Sequence, residues 1–374
     1  MINKKRLIDL TRSLIKIDSQ NPPGNETAIA CFLKAYLEKL SLRVKIVEFK
    51  KNRPNLLAYL PAKHAKHSLL VTPHLDTVPA GRKWRIDPFA GVVAQNKLYG
   101  IGATDCKGNL ACCVEAINSI VEDKAGLYYN LVLAATADEE SGSTWGLIPL
   151  LKKGIIKVDA AVVLDSEEFE VIVAQKGLLH VKVVLEGKRA HGAYPWRGDN
   201  AIDAAVRIVS ELKKSKIPFR KNRYLQPPTI NVGTIKGGDK VNVVADWCEF
   251  ELDFRFLPGT DAQVILRLLK SIVKKHSRKF AIEVEGIQKP YLIDEGHPLV
   301  KYLTAAMRQC KVSPRICGSE GATVITFFQD RHIPAVATGF GSEGCAHIIN
   351  EYVSLDNLYQ GTVVLERFLK DLKF

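Results

Sequence analysis

Val71-Thr72-Pro73-His74-Leu75-Asp76-Thr77-Val78-Pro79 carries an apolar run into a turn: Ser68-Leu69-Leu70-Val71 leads in, and Pro79, Ala80 and Gly81 follow. That pattern reads as a buried strand ending at a loop, where an open α/β sheet presents its ligand-binding residues. His74 and Asp76 are two apart, so an extended backbone turns both side chains to one face. An imidazole beside a carboxylate suits a metal ligand with an orienting partner. A structural histidine at a strand end has the same local pattern, so the acids elsewhere in the chain decide between the two.

Outward from this strand the pattern alternates. Upstream, helical spacing covers residues 3–18 and 25–41, where Ile29, Phe32, Leu33, Tyr36, Leu37 and Leu40 form one stripe. Ser19-Gln20-Asn21-Pro22-Pro23-Gly24 between them is a loop by its turn chemistry, and strands are predicted at 43–49 and 55–60. Downstream come a helix at 107–122, a strand at 130–136, a short helix at 144–153 and a strand at 159–164. Strands alternating with helices predict an α/β fold with a mostly parallel sheet covered on both faces. Near Lys176-Gly177 the texture changes. Residues 178–186 alternate, and a helix at 200–214, strands at 229–235 and 241–257, a helix at 261–276 and a strand at 280–285 make an α+β unit of ferredoxin-like order. After Pro290 the αβ pattern resumes, with helices at 297–310 and 321–329, a strand at 334–338 and a last helix at 355–372. The expected organisation is a domain at 178–290 inserted into a larger one built from 1–177 and 291–374.

Composition narrows the function classes. An apolar fraction of 47% and a charged fraction of 25% are those of a soluble globular protein. The basic start Met1-Ile2-Asn3-Lys4-Lys5-Arg6 runs into an amphipathic helix with no apolar signal core. No run approaches the ~20 residues that span a bilayer, so no membrane role is expected. Eight scattered cysteines without a CxxC pair read as reduced thiols in a cytoplasmic protein, with Cys112 and Cys113 packing a helix. The net charge of +13 is spread along the chain without interleaved aromatics, which argues against nucleic acid.

Four further stretches supply groups of the kind a metal site needs. Asp105, in Gly102-Ala103-Thr104-Asp105-Cys106-Lys107-Gly108, stands at the start of a predicted helix, where a cap is an equal local reading. Asp138-Glu139-Glu140 follows the strand at 130–136, either as a solvated turn or as a ligand and a base side by side. Asp165, with Glu167 and Glu168 beyond it, ends the strand at 159–164. His347 lies in Gly344-Cys345-Ala346-His347-Ile348-Ile349-Asn350-Glu351. Together they form a convergent set at the ends of αβ strands.

These motifs resemble the M20 family of metallo-aminoacylases and peptidases, which includes acetylornithine deacetylase, succinyl-diaminopimelate desuccinylase, aminoacylase-1 and glutamate carboxypeptidase. His74 to Pro79 meets H-x-D-x-V-P. Trp84 to Phe89 and Leu98 to Gly108 meet W-x-x-D-P-F and L-Y-G-x-G-x-x-D-x-K-G. Asp138 to Gly142 meets D-E-E-x-G, and His347 to Glu351 meets H-x-x-N-E. The resemblance covers essentially the whole chain. It implies a zinc-aminopeptidase-like catalytic domain with an inserted lid and dimerisation domain, and two zinc ions per chain, with Co2+ or Mn2+ as substitutes. His74 and Asp165 would hold one ion and His347 and Glu140 the other, with Asp105 bridging. Many deacylases of the family have Glu at the place of Asp165; the distance to Lys176-Gly177 favours Asp165 over Glu167. A cis peptide after the bridging aspartate is implied at Asp105-Cys106, where a thiol near zinc invites reactivity.

The chemistry implied is hydrolysis of the amide of an N-acyl amino acid. Zinc ions roughly 3.5–4 Å apart lower the pKa of a shared water towards ~7. Glu139 would be the general base, and Asp76 would orient His74. His191, in Lys188-Arg189-Ala190-His191-Gly192-Ala193, would complete the oxyanion site from the neighbouring subunit of a homodimer. Asn242 and Arg255 match lid residues that hold substrate polar groups, Arg255 being the α-carboxylate clamp unless it sits in an ordinary salt bridge. Gly339-Phe340-Gly341 would shape the substrate pocket. The nearest alternative cleaves a peptide bond with the same site, as a carboxypeptidase or dipeptidase does. A silent binding protein on the same scaffold is disfavoured by the intact ligand set.

Overall fold

Four apolar strands, Asn130–Ala135, Ser68–Thr72, Ala160–Leu164 and Ala335–Thr338, lie side by side in that order and run parallel. Nearly every residue in them is buried, which is why they read as unbroken apolar runs and not as alternating ones. Antiparallel strands extend the sheet on both sides: Pro54–Leu60 and Arg43–Glu48 beyond Asn130–Ala135, and Glu170–Gln175 beyond Ala335–Thr338. The four parallel strands share one C-terminal edge. The chain leaves that edge at His74, at Asp138 to Glu140, at Asp165 and at Gly339.

The computed structural model describes residues 1–374. It separates into two units, Met1–Val173 with Ile293–Cys317 and Thr323–Phe374, and Ala174–Leu292 with Gly318–Ala322. In the first unit Lys107–Glu122 packs between Lys4–Ile15 and Leu355–Asp371, and every residue from Lys107 to Ile120 is buried. A helix covered all round needs small residues where its neighbours come close, and Ala111, Cys112, Cys113 and Ala116 supply them. The Cys112 thiol donates to the carbonyl of Leu358 (3.3 Å), so this cysteine packs the helix as expected. Glu115, also buried on this helix, is matched by Arg6, whose Nε and Nη2 donate to its two oxygens at 2.7 and 2.9 Å.

The second unit is a four-stranded antiparallel sheet ordered Thr229–Gly237, Trp247–Phe256, Gly177–Glu186, Lys279–Gln288. Ala201–Lys214 and Ala262–His276 bury their apolar stripes on one face of it, against Leu179, Val181, Phe250, Leu252 and Phe254. Chain order is therefore strand, helix, strand, strand, helix, strand.

The structure departs from the sequence reading in the unpredicted short strands Val92–Ala94, Lys97–Tyr99, Tyr291–Leu292, Arg315–Ser319 and Tyr352–Ser354, and in three further segments. Glu170–Gln175 is a strand where none is predicted: a left-handed turn at Glu168 and Phe169 reverses the chain, and Val171-Ile172-Val173 returns antiparallel. The strand expected at 241–257 begins only at Trp247, because the preceding loop bonds instead to residues 190–192, as in Val244 N–H to Ala190 O (2.9 Å). The helix expected at 321–329 shrinks to Thr326–Gln329. No helix is long and apolar enough to cross a membrane.

Candidate metal centre

His74 follows the strand Ser68–Thr72 and is buried. Its Nδ1 lies 2.9 Å from the main-chain oxygen of Asp76. A carbonyl only accepts, so Nδ1 carries a proton and Nε2 is left facing acids: Asp105 Oδ1 at 2.8 Å and Asp165 Oδ1 at 3.7 Å. His347 stands opposite on a loop, its backbone left-handed at φ 59°, with Nε2 3.1 Å from Asp105 Oδ2 and 3.2 Å from Glu140 Oε2. Asp105 thus offers one oxygen to each histidine. The Asp105–Cys106 peptide is cis. Asp165, at the end of Ala160–Leu164, is fixed by its N–H on the carbonyl of Thr338 (3.1 Å).

Asp76 acts chiefly on the acidic turn. Its carboxylate is 3.6 Å from His74 Nδ1, but it accepts the N–H groups of Glu139 and Glu140, each at 3.1 Å, and the side-chain amide of Asn21 at 2.8 Å. Glu140 is held from a second side, accepting the N–H of Val78 at 3.1 Å. Asp138, left-handed at φ 65°, shares the buried guanidinium of Arg53 with Glu26. Glu139 makes no bond of that kind through its carboxylate; it lies beside the ligands and outside both sets. Glu167 accepts the N–H groups of Gly344 (2.6 Å) and Ala346 (2.9 Å), so it anchors the His347 loop while Asp165 faces the cluster. Gly339 is where the chain passes so close to Ser166 that a Cβ would fall 1.6 Å from its carbonyl oxygen. The Cys106 thiol donates to Leu164 O and burial pushes it up to about 11, which leaves it a weak nucleophile.

Two groups therefore form, His74 with Asp105 and Asp165, and Asp105 with Glu140 and His347, the ligand atoms of each lying within 4.8 Å of one another. Their electrostatics fit cations. Burial and then neighbouring acids, Asp165 first, raise Glu139 well above the usual carboxylate range, and burial with the Asp105 charge raises Asp165. Hydrogen bonds to Asp105 and Glu140 lift His347 to about 11. Burial opposes ionisation of Asp105, but its bonds to His347 and His74 outweigh this and lower it. Asp105, Glu139, Glu140 and Asp165 face only two imidazoles, which these acids hold towards the charged form, so the cluster favours positive charge between its carboxylates. Two divalent cations would balance those four carboxylates, and mixed imidazole and carboxylate donors suit zinc, cobalt or manganese.

His191, Asn242 and Arg255 belong to the second unit. His191 Nδ1 accepts the N–H of Ala193 (3.0 Å), and the main-chain oxygen of Asn242 accepts that of Gly192 (2.8 Å). Arg255 donates through Nε and Nη2 to Asp253, at 2.8 and 3.1 Å, which is the salt bridge that sequence left as its alternative. Sequence reading assigned no role to Asn21, Arg53 or Glu351, because each acts through partners far away in the chain; only Glu351 carried a signal, as the end of H-x-x-N-E.

The chain matches Peptidase family M20/M25/M40 over residues 70–371. It is 29% identical over 364 residues to the acetylornithine deacetylase of Proteus mirabilis (strain HI4320), covering 94% of this chain and 91% of that one. It is 24% identical over 371 residues to the succinyl-diaminopimelate desuccinylase of Orientia tsutsugamushi (strain Ikeda), covering 96% and 94%. Among solved structures the aminopeptidase PepT of Bacillus cereus ATCC 10987 superposes with a TM-score of 0.82 at 24% identity, over 99% of this chain and 98% of that one. With the motifs in order along a matching fold, this chain belongs to the peptidase family M20/M25/M40, hydrolases of amide bonds.

Proposed function

We propose that the protein is a dinuclear zinc amidohydrolase that removes the acyl group of an N-acyl amino acid, of the acetylornithine or succinyl-diaminopimelate kind. The observation that carries this is Asp105 presenting one oxygen to His74 and the other to His347. His74 and Asp165 would hold one ion, His347 and Glu140 the other, with Asp105 between them; Co2+ or Mn2+ would substitute. Bound there, such ions polarise the amide carbonyl and lower the pKa of water. Glu139 is the general base in this reading. Its place supports the role: next to Glu140, half-buried, and outside both ligand sets. It takes a proton from the attacking water and passes it to the departing amine nitrogen. Asp76 holds the Glu139–Glu140 turn to His74, so ligand and base keep a fixed separation. His191 of a partner subunit would donate to the carbonyl oxygen, while Asn242, Arg255 and Gly339 would line the substrate. Arg255 would do so with its guanidinium oriented by Asp253. The enzyme is read as a cytoplasmic homodimer, in keeping with its eight free thiols.

The second reading, cleavage of a peptide bond by the same groups, is favoured by the likeness to an aminopeptidase. The test is amine release by metal-stripped and zinc-reconstituted protein from acetylornithine, succinyl-diaminopimelate, acetylated neutral amino acids and dipeptides. Turnover of one acylated substrate, restored at about two metals per chain, is the expected result. Turnover of dipeptides alone would move the protein to the peptidase reading.

A further inference from the structure

Glu351 is buried, at 2% exposure, and makes a set of bonds that no ligand role explains. Its Oε1 accepts the N–H groups of Thr104 (2.8 Å) and Asp105 (3.0 Å), and its Oε2 that of Gly102 (3.0 Å). Its own carbonyl accepts the N–H of Gly100 at 3.0 Å. Three amides turned on one carboxylate require a tightly curled backbone, and Gly102 allows it at φ 81°, a conformation costly to other residues. A parallel connection runs alongside: the Thr104 hydroxyl donates to Tyr352 O (2.8 Å) and accepts from Ser342 N–H (3.1 Å). The segments joined are residues 100–105, ending in Asp105, and 342–352, containing His347. A short antiparallel pairing, Tyr352–Ser354 on Lys97–Tyr99, joins the two segments at their outer ends, but beyond it residues 101–105 and 343–350 lie in neither helix nor strand, and there the Glu351 carboxylate supplies the cross-links. His347 itself has a half-exposed side chain, so packing alone does not hold it.

We infer that Glu351 is a positioning residue, whose carboxylate binds the Asp105 loop to the His347 loop and so sets the spacing across which the Asp105 carboxylate is shared. It touches neither substrate nor metal. The inference rests on the dinuclear reading above. It differs from a plain structural role in one respect: removing the carboxylate should loosen metal more than it loosens the fold. Charge-assisted bonds to backbone amides are the strong kind, and partners behind metal ligands typically control affinity by about 10–100-fold.

The experiment uses the full chain, stripped of metal and titrated with Co2+ against a chromophoric chelator, alongside the visible spectrum of the Co2+-loaded protein. Wild type, Glu351→Ala and Glu351→Gln are compared, with melting of the metal-free forms as the control on folding. Glutamine keeps one oxygen for Thr104 and Asp105 but turns an amino group towards the N–H of Gly102. The expected result is Co2+ binding about 10–100-fold weaker in Glu351→Ala, an intermediate loss in Glu351→Gln, a changed visible spectrum in both, and metal-free melting close to wild type. Unchanged Co2+ affinity and spectrum in folded variants would overturn the inference, and so would two variants that fail to fold. Wild type binding no pair of Co2+ ions would instead sink the dinuclear reading itself.

Discussion

Glu139 and Glu140 are neighbours with divided work, and their surroundings say how. Glu140 is committed to Val78 N–H and His347, whereas the Glu139 carboxylate is held by neither. Replacing Glu139 by alanine should therefore remove proton transfer while sparing the ligands. We expect turnover to fall by about 10²–10⁴-fold, the usual contribution of a general base, with metal content unchanged. Loss of bound metal in that variant, measured by atomic emission, would instead make Glu139 a ligand. The clustered residues His74, Asp105, Glu140, Asp165 and His347 were legible in the sequence because each lies in a short motif of its own. Asp76 was only half legible. Its link to His74 is local, but its stronger bonds go to N–H groups more than sixty positions away, which no spacing rule encodes.

Among elements, the helix Lys107–Glu122 bears the most on stability. It is buried on every side yet carries Glu115, and Arg6 is the group that makes that burial tolerable. Arg6→Ala would strand a carboxylate with no exposure of its own, and breaking such pairs costs about 3 kcal/mol. Urea unfolding should show a lower midpoint with an unchanged slope. A variant replacing both partners by methionine should recover part of the loss, because the remaining core needs no counter-charge. The long helices and the four buried parallel strands of the αβ unit followed from periodicity to within a few residues, whereas the helix expected at 321–329 did not. Glu170–Gln175 did not, since a short apolar run after an acidic turn is as consistent with a loop edge as with a strand. Its pairings, with Ala335–Thr338 and with Tyr291–Leu292, distinguish the two.

On the scale of the whole molecule, a partner's His191 in the proposed active site has a sharp consequence for mixtures. Neither Glu139→Ala nor His191→Ala should turn over alone. Re-assorted in equal amounts, half of the dimers would be mixed, and one site in each would have both residues intact. Activity should return to about a quarter of wild type; no recovery after subunit exchange would place His191 in its own chain's site or outside the chemistry. The sheet carries a different consequence. Ala335–Thr338 lies inside it, between Ala160–Leu164 and Glu170–Gln175, not at a margin. During synthesis the strands made earlier must wait with one flank open until Ala335–Thr338 has emerged. His347 arrives later still. Newborn chains of this protein are thus exposed to mispairing until that strand docks, which is the circumstance in which chaperones matter, and the proposed metal centre can be completed only after His347 has been made.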